Sequence, residues 1–243
     1  MLTLTLDFTI IEERDDYVVV GKPPFLLVHP TRPDGPRTLW KELRELFAFE
    51  LATGGQVSIV NRLDRETSGL VLVAKTAKAA RTFGLLMQQR RLRKEYLAIV
   101  WGWPEWERKI VDAPLDRQGK HQRSAIWLKQ MIHPAGAPAQ TEFRVERRFV
   151  RPISLGDKFS LIRAIPHTGR THQIRVHLHH LGHPVLGDKV YAPNVAKNYP
   201  RQMLHAWKLG FCHPRTAEWK IFEARLPDDF AAAINLTIES QKV

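Results

Sequence analysis

The stretch IVNRLDRETSGLVLVAKT, residues 59–76, constrains the fold of this chain more than any other. An apolar pair leads into a polar cluster that holds Asn61, Arg62, Asp64, Arg65 and Glu66, and a continuous apolar run from Leu70 to Ala74 follows. Such a run, bounded by turn residues and rich in valine and leucine, reads as a strand buried on both faces. Charged groups at the lip of a buried strand must either reach water, pair with one another or serve a site.

The elements around this strand mix helices and strands without strict alternation. DDYVVVGKPPFLLVHP has two apolar runs about a Pro-Pro turn and predicts two strands. A Pro/Gly-rich loop, TRPDGPR, then leads to a helix with Leu39, Leu43 and Leu46 on one face. Thr76 is placed to cap a second helix, in which Ala80, Phe83 and Met87 recur at helical spacing until the basic cluster QQRRLRK ends it. KEYLAIVWG and FSLIRAIP read as strands, and TEFRVERRF alternates like a strand with one wet face, although residues 113–158 otherwise carry little periodic signal. After the turn HTGR, the segment THQIRVHLHHLG reads as a helix with Thr171 near its start, Ile174, Leu178 and Leu181 along a stripe, and Gly182 at C′. The tail, RQMLHAWKLGFCHPRTAEWKIFEARLP, reads as strands around a turn. The class is α+β with a mixed, mostly antiparallel sheet and flanking helices. Without a repeat or an evident linker, residues 1–243 read as one domain.

Several function classes are excluded by composition. No apolar run approaches the length of a membrane helix, and the N-terminus turns acidic where a signal peptide would be basic, so a cytoplasmic protein is expected. Cys212 is the only cysteine, which rules out an intramolecular disulfide and a multi-cysteine zinc site. The formal charge of +12 implies a polyanionic partner more specifically than it implies solubility, because the cations cluster. Residues 88–94 hold Arg90, Arg91, Arg93 and Lys94 with no acid, and residues 144–151 hold four arginines and one glutamate. Stripes of this kind are the footprint of phosphate binding, so RNA or DNA is the expected partner.

Each candidate site also has a plain structural reading. Asp64 between Arg62 and Arg65 could be an ion pair or a turn cap, and Tyr96 in an apolar strand could be core. The six histidines between 167 and 183 place His179 and His183 four residues apart, but no cysteine or carboxylate lies among them to complete a zinc site. No metal is expected.

NRLDRETSGLVLVAKT, RKEYLAIVWG, HTGRTHQIRVHLHHLGHPVLGDKVY and MLHAWKLGFCHP occur in the order and approximate spacing of the RluA-type pseudouridine synthases, which the chain resembles over nearly its whole length. The opening strands are similar too. The resemblance implies a pseudouridine synthase fold with a central basic cleft. It implies a catalytic domain without the small preceding RNA-binding domain of some relatives. By position, Asp64 becomes the catalytic aspartate, Tyr96 the aromatic residue against the target base, and Arg175 the basic partner of the aspartate at the cleft margin. Arg62 would help hold RNA with the base turned out, joined by Arg65, Arg90, Arg91, Arg93, Lys94, Arg170 and His172. Asn61 departs from the histidine of many relatives.

The implied reaction isomerises uridine in ribosomal or transfer RNA, and it needs no cofactor because nothing is added or removed. A monomer acting on structured RNA, away from membranes, is expected. A non-catalytic RNA-binding protein with the same fold is the alternative, with a metal-dependent nuclease behind it. Asp64, Tyr96 and Arg175 together favour the enzyme, because a pure binder has no use for a carboxylate facing phosphates.

Overall fold

The computed structural model describes residues 6–32, 34–151, 157–195 and 199–235. Pro33 of the TRPDGPR loop and residues 152–156 of the weakly patterned stretch lie outside them. In chain order the elements are β1 (Thr9–Glu13), β2 (Tyr17–Lys22), α1 (Leu39–Leu46), α2 (Ala48–Ala52), β3 (Ser58–Ile59), β4 (Ser68–Ala74), α3 (Ala77–Gln88) and β5 (Arg93–Trp101). They continue with β6 (Arg108–Asp112), β7 (Leu115–Arg117), β8 (Gln130–Ile132), β9 (Gln140–Arg151), β10 (Asp157–Pro166), α4 (Gln173–His180), β11 (Leu204–Cys212), β12 (Trp219–Glu223) and α5 (Asp228–Asn235). The class is α+β, a mixed sheet with few flanking helices. The described residues form two compact units, one within Met1–Lys94 and Ala206–Arg225, the other within Glu95–His205 and Leu226–Val243.

In the first unit, β1 pairs antiparallel with β2, β2 and β3 pair antiparallel with β4, and β11 forms a hairpin with β12. Every residue of β4 is buried, as its unbroken apolar run requires. Tyr17, Leu70, Leu72, Phe83, Phe211 and Phe222 share one core, with Tyr17, Phe83 and Phe211 in edge-on contact at centroid distances of 5.1–5.8 Å. Helix α3 joins this core through Ala79, Phe83 and Leu86, and Thr76 caps it by accepting the Ala79 N–H at 3.1 Å.

The second apolar run of PPFLLVHP is not a strand. Pro23 and Pro24 have no N–H to donate to a ladder, and Phe25 takes a left-handed conformation (φ 69°), so the segment makes only an isolated parallel bridge from Leu27 to Thr38.

In the second unit, β10 pairs antiparallel with β5 and β9, and β9 with β6, while β7 and β8 form a separate ribbon. The β9–β10 register shifts between Leu161 and Ile162, which adds a bulge to the long hairpin. Helix α4 starts at Gln173, two residues beyond Thr171, because the Gln173 side chain organises the turn: its Oε1 accepts the Arg170 N–H at 3.0 Å and the Thr168 hydroxyl at 2.6 Å. At the other end Gly182 (φ 79°) occupies C′, its N–H bonded to His179 O and the His183 N–H to Leu178 O, both at 3.0 Å. Gln173 through Leu178 are all buried, so α4 is enclosed over its first six residues and not only along the stripe through Ile174 and Leu178, while His179 and His180 at its end are exposed.

Candidate active site

The polar cluster of residues 61–66 is a turn pinned to the edge of β4. Val60 donates its N–H to Leu72 O at 2.8 Å, and Asn61 carries the ladder one step further with its side chain. Asn61 Nδ2 donates to Leu70 O at 3.0 Å while its Oδ1 accepts the Leu72 N–H at 2.8 Å. The buried amide stands in for a peptide group, so this position serves the scaffold of the turn. Leu63 is buried beneath the turn, Asp64 is half-exposed with its carbonyl accepting the Thr67 N–H at 3.1 Å, and Arg62 and Arg65 are exposed. Gly69 (φ 113°) closes the segment where a Cβ would run into the Ala206 backbone.

A buried ammonium holds the turn from the other side. Lys22, 2% exposed, donates to Pro23 O and Leu26 O at 2.8 Å and to Arg65 O at 3.1 Å. Three carbonyls around the ammonium offset the cost of its burial. Arg65 O also accepts the Phe25 N–H at 2.8 Å, and the Arg65 guanidinium lies 3.6 Å from Glu66. His29 is held below the ordinary histidine range by burial and by the charge of Arg62.

The basic cluster ends α3 in the same C-terminal motif as α4, with Arg90 (φ 58°) where α4 has glycine; the Arg90 N–H bonds Met87 O and the Arg91 N–H bonds Leu86 O. Arg90, Arg91 and Arg93 are exposed. Lys94 departs from its expected phosphate-binding role: it is buried, and desolvation lowers its pKa to about 8. It lies in strand β5, where every residue from Lys94 to Val100 is buried. In the second basic stripe, Arg144 and Arg148 are engaged within the protein. Arg144 and Arg108 both bind Glu142, at 2.7 and 2.8 Å, and hold its pKa down to about 2, with Arg108 the larger cause. Arg148 meets Glu107 at 2.6 Å.

In the second unit Tyr96 is buried on β5, opposite Ala164 of β10. Arg175, expected at a margin, is 4% exposed, with Nε and Nη2 donating to the two carboxylate oxygens of Asp188 at 2.7 and 2.8 Å. Asp188 Oδ1 also accepts the N–H groups of Val190 and Tyr191, at 2.9 and 3.1 Å. The Arg175 guanidinium lies 5.1 Å from the Tyr191 ring centroid. The Tyr191 hydroxyl accepts the Gln130 N–H and meets His172 Nδ1, each at 2.9 Å. Arg170 is exposed, with Nε donating to Pro138 O at 3.1 Å. His177 is fully buried, and burial pushes its pKa down; its Nε2 donates to Ala113 O at 3.0 Å and its Nδ1 faces the Thr141 hydroxyl at 2.9 Å.

Residues 16–180, well over half of the chain, match the RNA pseudouridylate synthase family. The chain belongs to that family. Asp64, Tyr96 and Arg175 all fall within the matched span. It is 43% identical over 213 residues to an uncharacterized RNA pseudouridine synthase of Chloroflexus aurantiacus, a match covering 86% of this chain and 63% of the relative. It is 37% identical to the ribosomal large subunit pseudouridine synthase D of Nitrosomonas europaea, covering 93% of this chain and 64% of the relative. The matches thus span a little under two thirds of the length of these relatives. Among solved structures it resembles human RNA pseudouridylate synthase domain containing 1, with a TM-score of 0.70 and 29% identity over 93% of this chain and 86% of the other. The human domain containing 4 protein, at 23% identity and a TM-score of 0.72, shares the fold over 94% of this chain and 92% of its own.

Sequence reasoning about this family member missed Lys22 and Asp188. The signal for Asp188 was a lone acid in GDKVY, close after an arginine-bearing helix; for Lys22 it was a lysine at the end of an otherwise apolar strand.

Proposed function

We propose that this chain is an RNA pseudouridine synthase in which Asp64 is the catalytic carboxylate. The observation that carries the reading is the place of Asp64: half-exposed on a turn fixed by Asn61, Leu63 and Lys22, between two exposed arginines, inside the span that matches the family. The Nitrosomonas europaea relative is named for the large ribosomal subunit, so large-subunit ribosomal RNA is the first substrate to test and transfer RNA the second.

In the proposed reaction the bond from uracil N1 to the ribose C1′ breaks, the uracil turns while bound, and C5 bonds to the same carbon. C5 loses a proton and N1 gains one, so atoms and electrons balance without a cofactor. An ionised carboxylate beside the ribose can act as nucleophile or as base. A stacked base cannot reach such a group, so the target is flipped out at a cost of a few kcal/mol, and Tyr96 packs against it. Arg175 is the basic partner of Asp64. Asp188 orients its guanidinium, and an adjacent cation keeps a carboxylate charged. Both units make one catalytic domain, a cytoplasmic monomer, and RNA lies in a basic cleft gripped by Arg62, Arg65, Arg90, Arg91, Arg93, Arg170 and His172. Lys94 is left out of that grip because it is buried.

Carbodiimide mapping of pseudouridine in an unmodified large-subunit ribosomal RNA transcript, treated with wild type or Asp64→Asn, tests the proposal. Wild type should introduce a discrete site and Asp64→Asn should bind the RNA without converting it. Appreciable turnover by Asp64→Asn removes Asp64 from the role.

A further inference from the structure

Phe25 holds a conformation that its own side chain resists. Its φ of 69° lies in the left-handed region, which a bulky aromatic residue rarely occupies, and glycine would sit there without strain. The ring does not bury itself in compensation, since Phe25 remains 45% exposed. Single exposed apolar residues are ordinary on protein surfaces. A strained one, fixed from beneath, is not. The fixing is explicit: the Phe25 N–H donates to Arg65 O, and buried Lys22 bonds the carbonyls of Pro23, Leu26 and Arg65 around it. The same two contacts hold the turn that carries Asp64, so ring and carboxylate are set on one rigid platform. A cation meets the ring. The Arg65 guanidinium carbon lies 5.8 Å from its centroid, and Arg62 is exposed on the same turn.

A half-exposed aromatic ring with a guanidinium against it matches a nucleobase attached to phosphates better than it matches an apolar protein surface. We propose that Phe25 is a stacking platform for a nucleobase flanking the target uridine, with Arg65 meeting the adjoining phosphate. The inference rests on the proposed function and adds to it a residue that binds RNA beside the reacting base. Phe25 contributes to RNA binding and leaves the chemical step to Asp64.

Steady-state kinetics on the unmodified large-subunit ribosomal RNA transcript, with thermal melts of the same proteins, test it. Phe25→Leu keeps the apolar bulk and removes the π face; Phe25→Gly removes the ring and the strain together. Both should raise KM by roughly five- to a hundredfold, the range for loss of one stacked base, with kcat within about twofold of wild type. Phe25→Trp should keep KM near wild type. Phe25→Gly should melt at a higher temperature than wild type while binding RNA more weakly, a combination that a purely structural phenylalanine would not give. An unchanged KM in Phe25→Leu and Phe25→Gly, alongside an active wild type and an inactive Asp64→Asn, overturns the platform and leaves the proposed function standing. A fall in kcat without a change in KM also overturns it. A wild type that forms no pseudouridine in this RNA or in transfer RNA overturns both.

Discussion

Arg175 and Asp188 form a bidentate ion pair, 2.7 and 2.8 Å long, between side chains 4% and 1% exposed. A planar guanidinium matched to both carboxylate oxygens holds orientation as well as charge. The pair is enclosed, so breaking it from one side removes the bidentate partner of a charge held in the interior.

Asp188→Asn should therefore destabilise the protein by about 3–5 kcal/mol, as expected for removal of one partner from a buried pair. Denaturant unfolding at neutral pH measures this. A change under about 1 kcal/mol would mean that Arg175 is compensated by other groups. Arg175→Lys should lose less stability than Arg175→Met, and activity should fall in the same order.

Lys94→Met should stabilise the protein. The buried ammonium has a folded pKa near 8, below the ordinary lysine value, so the unfolded chain binds more protons between about pH 8 and pH 10.5. Wild-type stability thus rises with pH across that window, and the penalty is greatest and constant below pH 8. The methionine variant should gain on the order of 1–3 kcal/mol at pH 7, an advantage that shrinks as pH climbs above 8. An advantage that persists undiminished at pH 10.5 would point to packing in place of charge.

His177 should set an acidic limit to stability. Burial lowers its pKa, so below about pH 6.5 the unfolded chain takes up a proton that the folded one refuses. Stability then falls with pH by up to about 1.4 kcal/mol per unit until the folded value is reached. His177→Gln should give a flatter profile between pH 7 and pH 5 in urea melts. Equal slopes for the two proteins would assign the acid sensitivity elsewhere.

For RNA affinity, Arg90, Arg91 and Arg93 are the groups to vary. Each one that meets a phosphate should contribute about 0.7 to 0.9 to the slope of log affinity against log salt. Arg90→Gly is the most informative single change, because position 90 prefers glycine by its backbone; affinity should weaken while the melting temperature holds or rises. A triple replacement with alanine that leaves the slope unchanged would turn this cluster away from the RNA.

The local parts of the fold were legible in the sequence. The run from Leu70 to Ala74, the cap at Thr76 and the stop at Gly182 each depend on residues within a few positions, and each lies where the pattern puts it. The run Phe25–Pro30 looked equally apolar, but two prolines and a left-handed residue outweigh hydrophobicity when a ladder needs donors. Partners were harder to read. Lys22 reaches Arg65 across 43 positions, and nothing local marks a lysine as buried beneath a turn. Arg144 and Arg148 of the basic stripe looked free because Glu142 is shared with Arg108 of β6 and Glu107, which takes Arg148, comes from a different part of the chain.

Asn61 also determines how the proposed catalytic turn can move. The Leu72 N–H, on a fully buried strand, has a side chain as its acceptor, and that side chain belongs to the turn. Hydrogen exchange at Leu72 therefore requires either release of the Asn61 amide or opening of β4 itself, and release would leave buried donors and acceptors without partners. The turn and the central strand should accordingly exchange as one cooperative unit, with protection at Leu72 close to that of the core. Asn61→Ala should detach the two, giving fast exchange at Leu72 while Val71 and Val73 stay protected.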